Sequence, residues 1–158
     1  MRRAKAADRT ALHALYATSF PEEDLTELLD ALARCPEGTQ FVAGAAEGHV
    51  AVTSCAVDGT PVALLGPIAV APERQSAGLG RRLVEAAIAA ARTDAAAICV
   101  LGDPAFYARL GFAREDAVRP PYPLKPEWDG AWQSVRFGAV PEGVLDVPEP
   151  WRDRMLWA

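Results

Sequence analysis

The sequence has few residues that could hold a metal ion or form a crosslink. It contains two histidines and three cysteines in 158 residues. Cys35, Cys55 and Cys99 are far apart, and none has the spacing of a CxxC pair or of a Cys/His ligand set. We therefore predict no metal site, and we interpret the cysteines as small buried side chains in a reducing, cytoplasmic compartment. The two histidines, His13 and His49, receive no predicted role.

Long apolar runs and an excess of positive charge are also lacking. No stretch approaches the ~18 consecutive apolar residues of a membrane-spanning helix, and no apolar segment follows the basic Met1–Lys5. The net charge of −5 gives no general basis for binding nucleic acid or an anionic membrane. With 51% hydrophobic residues, the length suits one domain with its own core, so we predict a single domain over residues 1–158.

Hydrophobic periodicity predicts the order of helices and strands. Asp8 is expected to cap the first helix, and the acids Glu22, Glu23 and Asp24 are expected in the first turn of the second. In chain order the predicted elements are a short strand (2–7), helices (10–20 and from 22 to just before 35), strands (40–45, 49–57 and 61–70), a helix (77–92), a strand (95–101), one or two helical turns (105–110) and a last strand (132–140).

These elements indicate a mixed α/β (α+β) fold. The three middle strands form an antiparallel meander, with an Asp58-Gly59 hairpin turn before the third. The strand–helix–strand unit that follows requires one parallel strand pair with a right-handed crossover. We therefore expect a mostly antiparallel central sheet with one parallel pair, flanked by helices. The proline-rich segment 116–130 is predicted to be a loop, and the tryptophans of the tail, 141–158, predict that it docks on the body.

The glycine-bearing turn Gln75–Arg82 lies between an apolar strand and a long amphipathic helix. That order aims backbone N–H groups and the positive end of a helix dipole at one point, which suits a phosphate. Lys-Ser/Thr is missing after the second glycine, which disfavours a P-loop, and GxGxxG is incomplete, which disfavours a dinucleotide fingerprint. An ordinary tight turn therefore remains the alternative to a phosphate site.

A second segment decides between these alternatives. The turn fits the pattern Q-x-x-G-x-G, and Phe106–Phe112, with the sequence F-Y-A-R-L-G-F, follows about thirty residues later. With these two motifs the chain resembles the GNAT superfamily of acyl-CoA N-acyltransferases, specifically over residues 64–112. The run Gly102–Phe112 is most similar to the YhbS-like predicted acetyltransferases within it. Residues 116–158 are variable in such proteins.

The resemblance implies a GNAT fold with acetyl-CoA as acyl donor. It implies N-acetyl transfer to a primary amine by direct attack, without an acyl-enzyme. It places the pantetheine arm of coenzyme A along Ile68, Ala69 and Val70. The pyrophosphate would be held by the turn and the start of the helix, through Gln75, Ser76, Ala77, Gly78, Leu79, Gly80, Arg81 and Arg82.

The resemblance also suggests the groups that would carry the chemistry. Tyr107 maps onto the tyrosine that often serves as general acid at the departing sulfur. Asp103 stands where many members have an asparagine that touches the cofactor arm, although it could equally cap the short helix after it. The general base is not fixed by a motif. Glu22 and Glu23 border the expected acceptor cleft and are the tentative candidates, ahead of Glu27 and Glu73.

Two other functions stay open at this point. One is a non-catalytic module that binds or senses acyl-CoA, and the other is transfer to a hydroxyl. The acceptor is expected to be an amine of a small molecule or a peptide. Members of such a superfamily often dimerise, so a homodimer is a further expectation.

Overall fold

The central feature of the molecule is a seven-stranded sheet. A computed structural model describes residues 1–158. The strand order is β1-β2-β3-β4-β5-β8-β6, and β7 and β9 form a separate parallel pair. The strands are β1 (Arg2–Arg3), β2 (Gly38–Ala43), β3 (Gly48–Val57), β4 (Thr60–Val70), β5 (Ala97–Leu101), β6 (Ala113–Arg114), β7 (Val118–Arg119), β8 (Trp132–Arg136) and β9 (Gly143–Val144).

Four α-helices and several 3-10 turns surround this sheet. The α-helices are α1 (Arg9–Ser19), α2 (Thr26–Arg34), α3 (Leu79–Arg92) and α4 (Pro104–Tyr107). The 3-10 turns cover Ala6–Asp8, Pro72–Arg74, Ala108–Leu110, Pro126–Trp128, Glu149–Trp151 and Arg154–Trp157. No helix combines the length and the apolar character needed to cross a membrane.

The two faces of the sheet bury different partners, because side chains alternate along each strand. On β4, Ala63 and Leu65 pack against α3 and α4. Val62 and Leu64 face the opposite way, toward α2 and the C-terminal tail. The side of β2 and β4 next to α1 forms a third, smaller cluster. The molecule therefore has an α3 face and a tail face, separated by the sheet.

One strand pair in the sheet is parallel, and it is short. β4 pairs with β5 at Ala63, Leu64 and Leu65 alone. Gly66 and Pro67 then form a bulge, because the register with β3 jumps from Val52↔Leu65 to Val50↔Ile68. β4 continues along β3 to Val70 without a partner on its other edge. A gap therefore opens between β4 and β5 on the C-terminal side of the bulge.

The predicted fold class is confirmed, with corrections near the N-terminus. β1 is only two residues long, and Asp8 does not cap α1, because its carboxylate accepts the Lys5 N–H at 2.7 Å and two bonds from Arg2. Glu22, Glu23 and Asp24 are not helical, since α2 begins at Thr26. The Asp24 carboxylate accepts the Thr26 N–H at 3.0 Å and so stands before the helix rather than inside it.

The C-terminal third is more ordered than the sequence suggested. The segment predicted to be a loop contributes β7 to a small sheet. β8 ends at Arg136 rather than near residue 140, because the next two N–H groups turn to the Ala96 carbonyl. Docking of the tail is confirmed: the Trp151 indole N–H donates to Thr53 Oγ1 at 3.0 Å, and Trp157 to the Trp151 carbonyl at 3.1 Å.

A buried carboxylate holds the edge of the sheet. Glu115 accepts hydrogen bonds from Ser134 Oγ at 2.6 Å, from Arg136 Nη2 at 2.8 Å and from the amides of Ala117 and Val118 at 2.9 Å. Burial by itself would raise the pKa of Glu115, but these hydrogen bonds lower it. The carboxylate is therefore charged and fully paired, and it fixes β6 and the chain after it against β8.

Candidate functional site

The turn between β4 and α3 presents a series of unpaired donors. None of the six N–H groups from Ser76 to Arg81 donates a hydrogen bond within the protein. Ser76 and Gly78 adopt left-handed backbone angles, with φ of 70° and 79°, which curl the turn before α3 begins. A Cβ at Gly78 would meet no atom within 4 Å, so the space beside it is open. The six amides and the helix dipole give this turn the chemistry that suits an anion.

Gln75, which was expected to hold the pyrophosphate, bonds through its side chain to the end of β4 instead. Its side-chain amide donates to the Val70 carbonyl at 3.1 Å, and its own N–H points to the Pro72 carbonyl at 3.4 Å. Ser19 Oγ, at the end of α1, also donates to the Val70 carbonyl, at 3.2 Å. Gln75 therefore ties the turn to the end of β4, and the unpaired amides begin at Ser76.

The arginines around the turn are not equivalent. Arg81 Nε lies 2.9 Å from Glu85 Oε1, and Arg74 lies 3.2 Å from Glu47. Arg82 is exposed and forms no ion pair. Among these three arginines, Arg82 is therefore the one whose charge is not offset by a neighbouring carboxylate.

The gap between β4 and β5 widens into a cavity of about 630 Å³. Leu65, Val100 and Gly102 lie where the strands diverge. Of the three residues predicted to follow the pantetheine arm, Ile68 alone lines the cavity. Ala69 is buried against α1, and Val70 approaches the position that a Gly80 Cβ would occupy, at 3.8 Å.

Tyr107 reaches this cavity from α4. Its ring is buried and packs edge-to-face on Phe106 and Phe112, with centroids 4.9 and 5.3 Å apart. A side chain at Gly102 would collide with the ring. The phenol hydroxyl makes no hydrogen bond with the protein and is not sealed from the cavity. Burial raises the pKa of Tyr107 to about 12, so the phenol is neutral and its O–H is available as a donor.

Asp103 caps α4 and also lines the cavity. Its Oδ1 accepts the Ala105 N–H at 3.0 Å, and Pro104 occupies the first helical position. The helix-capping alternative considered for Asp103 is therefore what the structure contains. This cap orients α4, and α4 in turn carries Tyr107.

The candidate acids separate by position. Glu23 lines the cavity, whereas Glu22, Glu27 and Glu73 are exposed outside its lining. Neither histidine is near it. His13 Nε2 contacts Asp30 at 2.8 Å. His49 is buried between the Tyr16 hydroxyl and Gln40 Oε1, each at 2.7 Å, and burial lowers its pKa to about 4.

The wall of the cavity opposite the sheet was missed by sequence reasoning. It is built from the end of α1, the start of α2, the 3-10 turn Pro126–Trp128 and the tail, and the tail's tryptophans were the only signal for it. The large apolar residues of this wall are Phe20, Leu25, Leu28, Trp128, Trp151, Met155, Leu156 and Trp157. Lys125 is the one basic residue of the lining, and its Nζ lies 5.0 Å from the Trp128 ring centroid.

The comparisons with known proteins agree with this geometry. The model of the acetyltransferase (GNAT) family matches residues 9–112. The uncharacterized N-acetyltransferase YjhQ of Escherichia coli K12 is 30% identical over 135 residues, which cover 80% of this chain and 71% of that protein. The GNAT N-acetyltransferase YhbS of Escherichia coli, solved with CoA, is similar with a TM-score of 0.80 and 26% identity, covering 96% and 91% of the two chains.

A further similar structure is a GNAT acetyltransferase from Brucella melitensis, solved with acetyl-CoA. Its TM-score is 0.74 at 25% identity, and the match covers 94% of this chain and 95% of the other. The chain belongs to the GNAT family of acetyltransferases. The enzyme class, the likeness to YhbS and the use of acetyl-CoA predicted from the sequence are thereby confirmed.

Proposed function

We propose that the chain transfers the acetyl group of acetyl-CoA to a primary amine, which attacks the thioester directly. The observation that carries this proposal is the connection of an anion site to a cavity with a free phenol. Phe106 links them, because its ring lies 3.5 Å from the Gly80 Cβ position and packs on Tyr107. No cysteine lines the cavity, and an acyl-enzyme is not part of the proposal.

The residues present fit coenzyme A. The six unpaired amides of Ser76–Arg81 would hold the pyrophosphate, and Arg82 would add charge. The edge of β4 at Ile68–Val70 has no strand partner, and its backbone is free to pair with the amides of the pantetheine arm, apart from the Val70 carbonyl, which accepts from Gln75 and Ser19. Gln75 would act by fixing the turn to this edge. When bound, acetyl-CoA supplies the activated acetyl group in the gap.

Tyr107 would act as a hydrogen-bond donor to the leaving sulfur. Full proton transfer from a phenol of pKa about 12 to a thiolate of pKa ~8.5 would cost about 5 kcal/mol. A neutral phenol can nevertheless stabilise developing thiolate charge with a hydrogen bond. We therefore assign Tyr107 this role and expect the proton on the departing thiol to come from the attacking amine.

Glu23 is the acid that we assign to the acceptor. An alkylammonium has to lose a proton before it attacks, and a carboxylate at the cavity can take it directly or through water. Glu23 lines the cavity and Glu22 does not, so the tentative pair reduces to one residue. Asp103 is committed to the α4 cap and is not assigned the base.

The proposal extends to the whole chain. The sheet takes β1 from the N-terminus and β8 from the last third, which supports residues 1–158 as one acetyltransferase domain. The three cysteines are free, which supports a reducing compartment such as the cytoplasm. The resemblance also suggests a homodimer, and the molecular mass measured by analytical ultracentrifugation would test this.

Two measurements test the proposed function. Acetyl-CoA should raise the melting temperature of the protein, since a ligand that binds only the folded state stabilises it. Thiol release from acetyl-CoA should then increase when primary amines are added, and mass spectrometry should find the N-acetyl product. A thermal shift without amine-dependent thiol release would leave an acyl-CoA-binding module, and acetylated alcohols would indicate transfer to a hydroxyl.

A further inference from the structure

We propose that the acceptor is a monoamine whose single amino group is carried on an apolar body of aromatic size. This rests on the proposed N-acetyl transfer and deepens it by naming the substrate class. The cavity wall opposite the sheet carries the inference, because none of the sequence motifs contributes to it.

The wall is aromatic and aliphatic. Of the 21 residues that line the cavity, 15 are hydrophobic, and the residues opposite the sheet come from α1, α2, the 3-10 turn Pro126–Trp128 and the tail. Phe20, Leu28, Trp128, Trp151 and Trp157 contribute large side chains to it, and Leu28, Trp151 and Trp157 belong to one packed cluster. An apolar acceptor body would gain free energy in proportion to the area it buries here.

The indoles of the tail offer no hydrogen bonds to a polar acceptor. The Trp151 N–H is used by Thr53 Oγ1 and the Trp157 N–H by the Trp151 carbonyl. The two rings pack edge-to-face with centroids 5.9 Å apart, so each also holds the other in place. The hydroxyls of a sugar or an amino alcohol would lose their water against these rings without a partner to replace it.

The charge of the lining favours one ammonium group rather than several. Glu23, Asp103 and Lys125 are its charged side chains, and the Asp103 carboxylate already caps α4. Glu23 is thus the one acidic side chain left for an incoming cation. Lys125, placed on the Trp128 ring, would repel the second or third ammonium of a polyamine.

A panel of amines tests the proposal. Phenethylamine and isoamylamine should be acetylated with a kcat/KM roughly a hundredfold above that of ethanolamine, spermidine or kanamycin, because the body of each polar amine would lose its water against the Trp151 and Trp157 rings. Equal or faster acetylation of a polar amine would overturn the acceptor class while leaving N-acetyl transfer intact. Acetyl-CoA binding without acetylation of any amine would overturn the transfer itself, and this inference with it.

A variant of the wall gives a second test that does not disturb the core. Met155 lines the cavity and is 76% exposed, so Met155→Gln adds an amide without opening a void. It should raise the KM for phenethylamine about fivefold and leave the KM for acetyl-CoA unchanged. Met155→Leu should stay close to the wild type.

The matched control lies outside the cavity. Val144 is 51% exposed on β9, and Val144→Gln should change neither KM. An unchanged phenethylamine KM in Met155→Gln, or an equal rise in Val144→Gln, would show that the tail wall does not contact the acceptor body and would overturn the proposal.

Discussion

The two faces of the sheet carry candidate sites that are built in different ways. On the α3 face, the anion site is made of backbone N–H groups in one continuous turn, Ser76–Arg81. On the tail face, the cavity wall is made of side chains from α1, α2 and the tail, which are more than a hundred residues apart. A backbone site needs only a turn of the right shape, whereas a side-chain wall depends on the packing of the whole chain. We therefore expect the first to be shared with relatives and the second to be particular to this protein.

The largest expected effect on catalysis comes from Tyr107, which lies where the two faces meet. Tyr107→Phe removes the O–H that we assign to the leaving sulfur and keeps the buried ring. The kcat should fall about a hundredfold while the KM for acetyl-CoA changes less than about twofold, because the hydrogen bond strengthens only as thiolate charge develops. Steady-state thiol release measures both. Tyr122→Phe, in the segment between β7 and β8, is the control, and an unaltered kcat in Tyr107→Phe would exclude Tyr107 from the mechanism.

A variant of Glu23 tests the role assigned to the tail face. Glu23→Gln should lower kcat/KM for the amine by about thirtyfold at neutral pH, with recovery at high pH as free amine becomes abundant. The pH–rate profile of thiol release measures this. Glu22→Gln removes the same charge one residue away, outside the cavity, and should cost less than about twofold. A similar loss in the two variants would indicate a general charge effect rather than a base.

Gly78 tests the backbone site, and the chain contains a closely matched control for it. Gly78 and Gly59 have the same φ of 79°, and a Cβ at either would meet no atom within 4 Å. Alanine at each position should therefore cost a similar ~1 kcal/mol of stability. Only Gly78→Ala should raise the KM for acetyl-CoA, by about tenfold, because its Cβ enters the space before the amides. Equal KM values in the two variants would place the pyrophosphate elsewhere.

The two neighbouring arginines give a smaller contrast. Arg82→Ala should raise the KM for acetyl-CoA about fivefold at low salt and less at 0.5 M salt, since Arg82 has no carboxylate partner and its charge is screened by ions. Arg81 is paired with Glu85, so Arg81→Ala should change this KM less than about twofold. If Arg81→Ala has the larger effect, the ion pair opens when the ligand binds.

The smallest effect concerns stability and not activity. His49 has a folded-state pKa of about 4, below the ~6.5 of an unfolded histidine, so the unfolded chain binds more protons between these values. Stability should therefore be lost as the pH falls, by about 1.5 kcal/mol between pH 6.5 and pH 5. Urea denaturation at the two pH values measures it. The loss should shrink in His49→Gln, and a pH-independent stability in the wild type would contradict the assignment.

The two faces also differ in how far the sequence predicts them. The strands of the meander, α3 and the Tyr107 segment follow from hydrophobic periodicity and two motifs, because those features are local. The bulge at Gly66-Pro67, the Glu115 network and the tail wall are not predictable in this way. Each depends on contacts between segments distant in sequence, and no local pattern records which distant residue will be the partner. The sequence is equally unable to distinguish Glu23 from its neighbour Glu22, although Glu23 alone reaches the cavity.

The hydrogen bond between Trp151 and Thr53 spans 98 positions of the chain. Closing so long a loop costs entropy before any contact repays it, whereas the β3–β4 hairpin and α3 form from near neighbours. We therefore expect the tail to dock late in folding, after the sheet and the turn at Ser76–Arg81 are in place. During synthesis the same order would follow from the direction of the chain. A nascent molecule would then be competent for its acyl donor before it has a complete pocket for the acceptor.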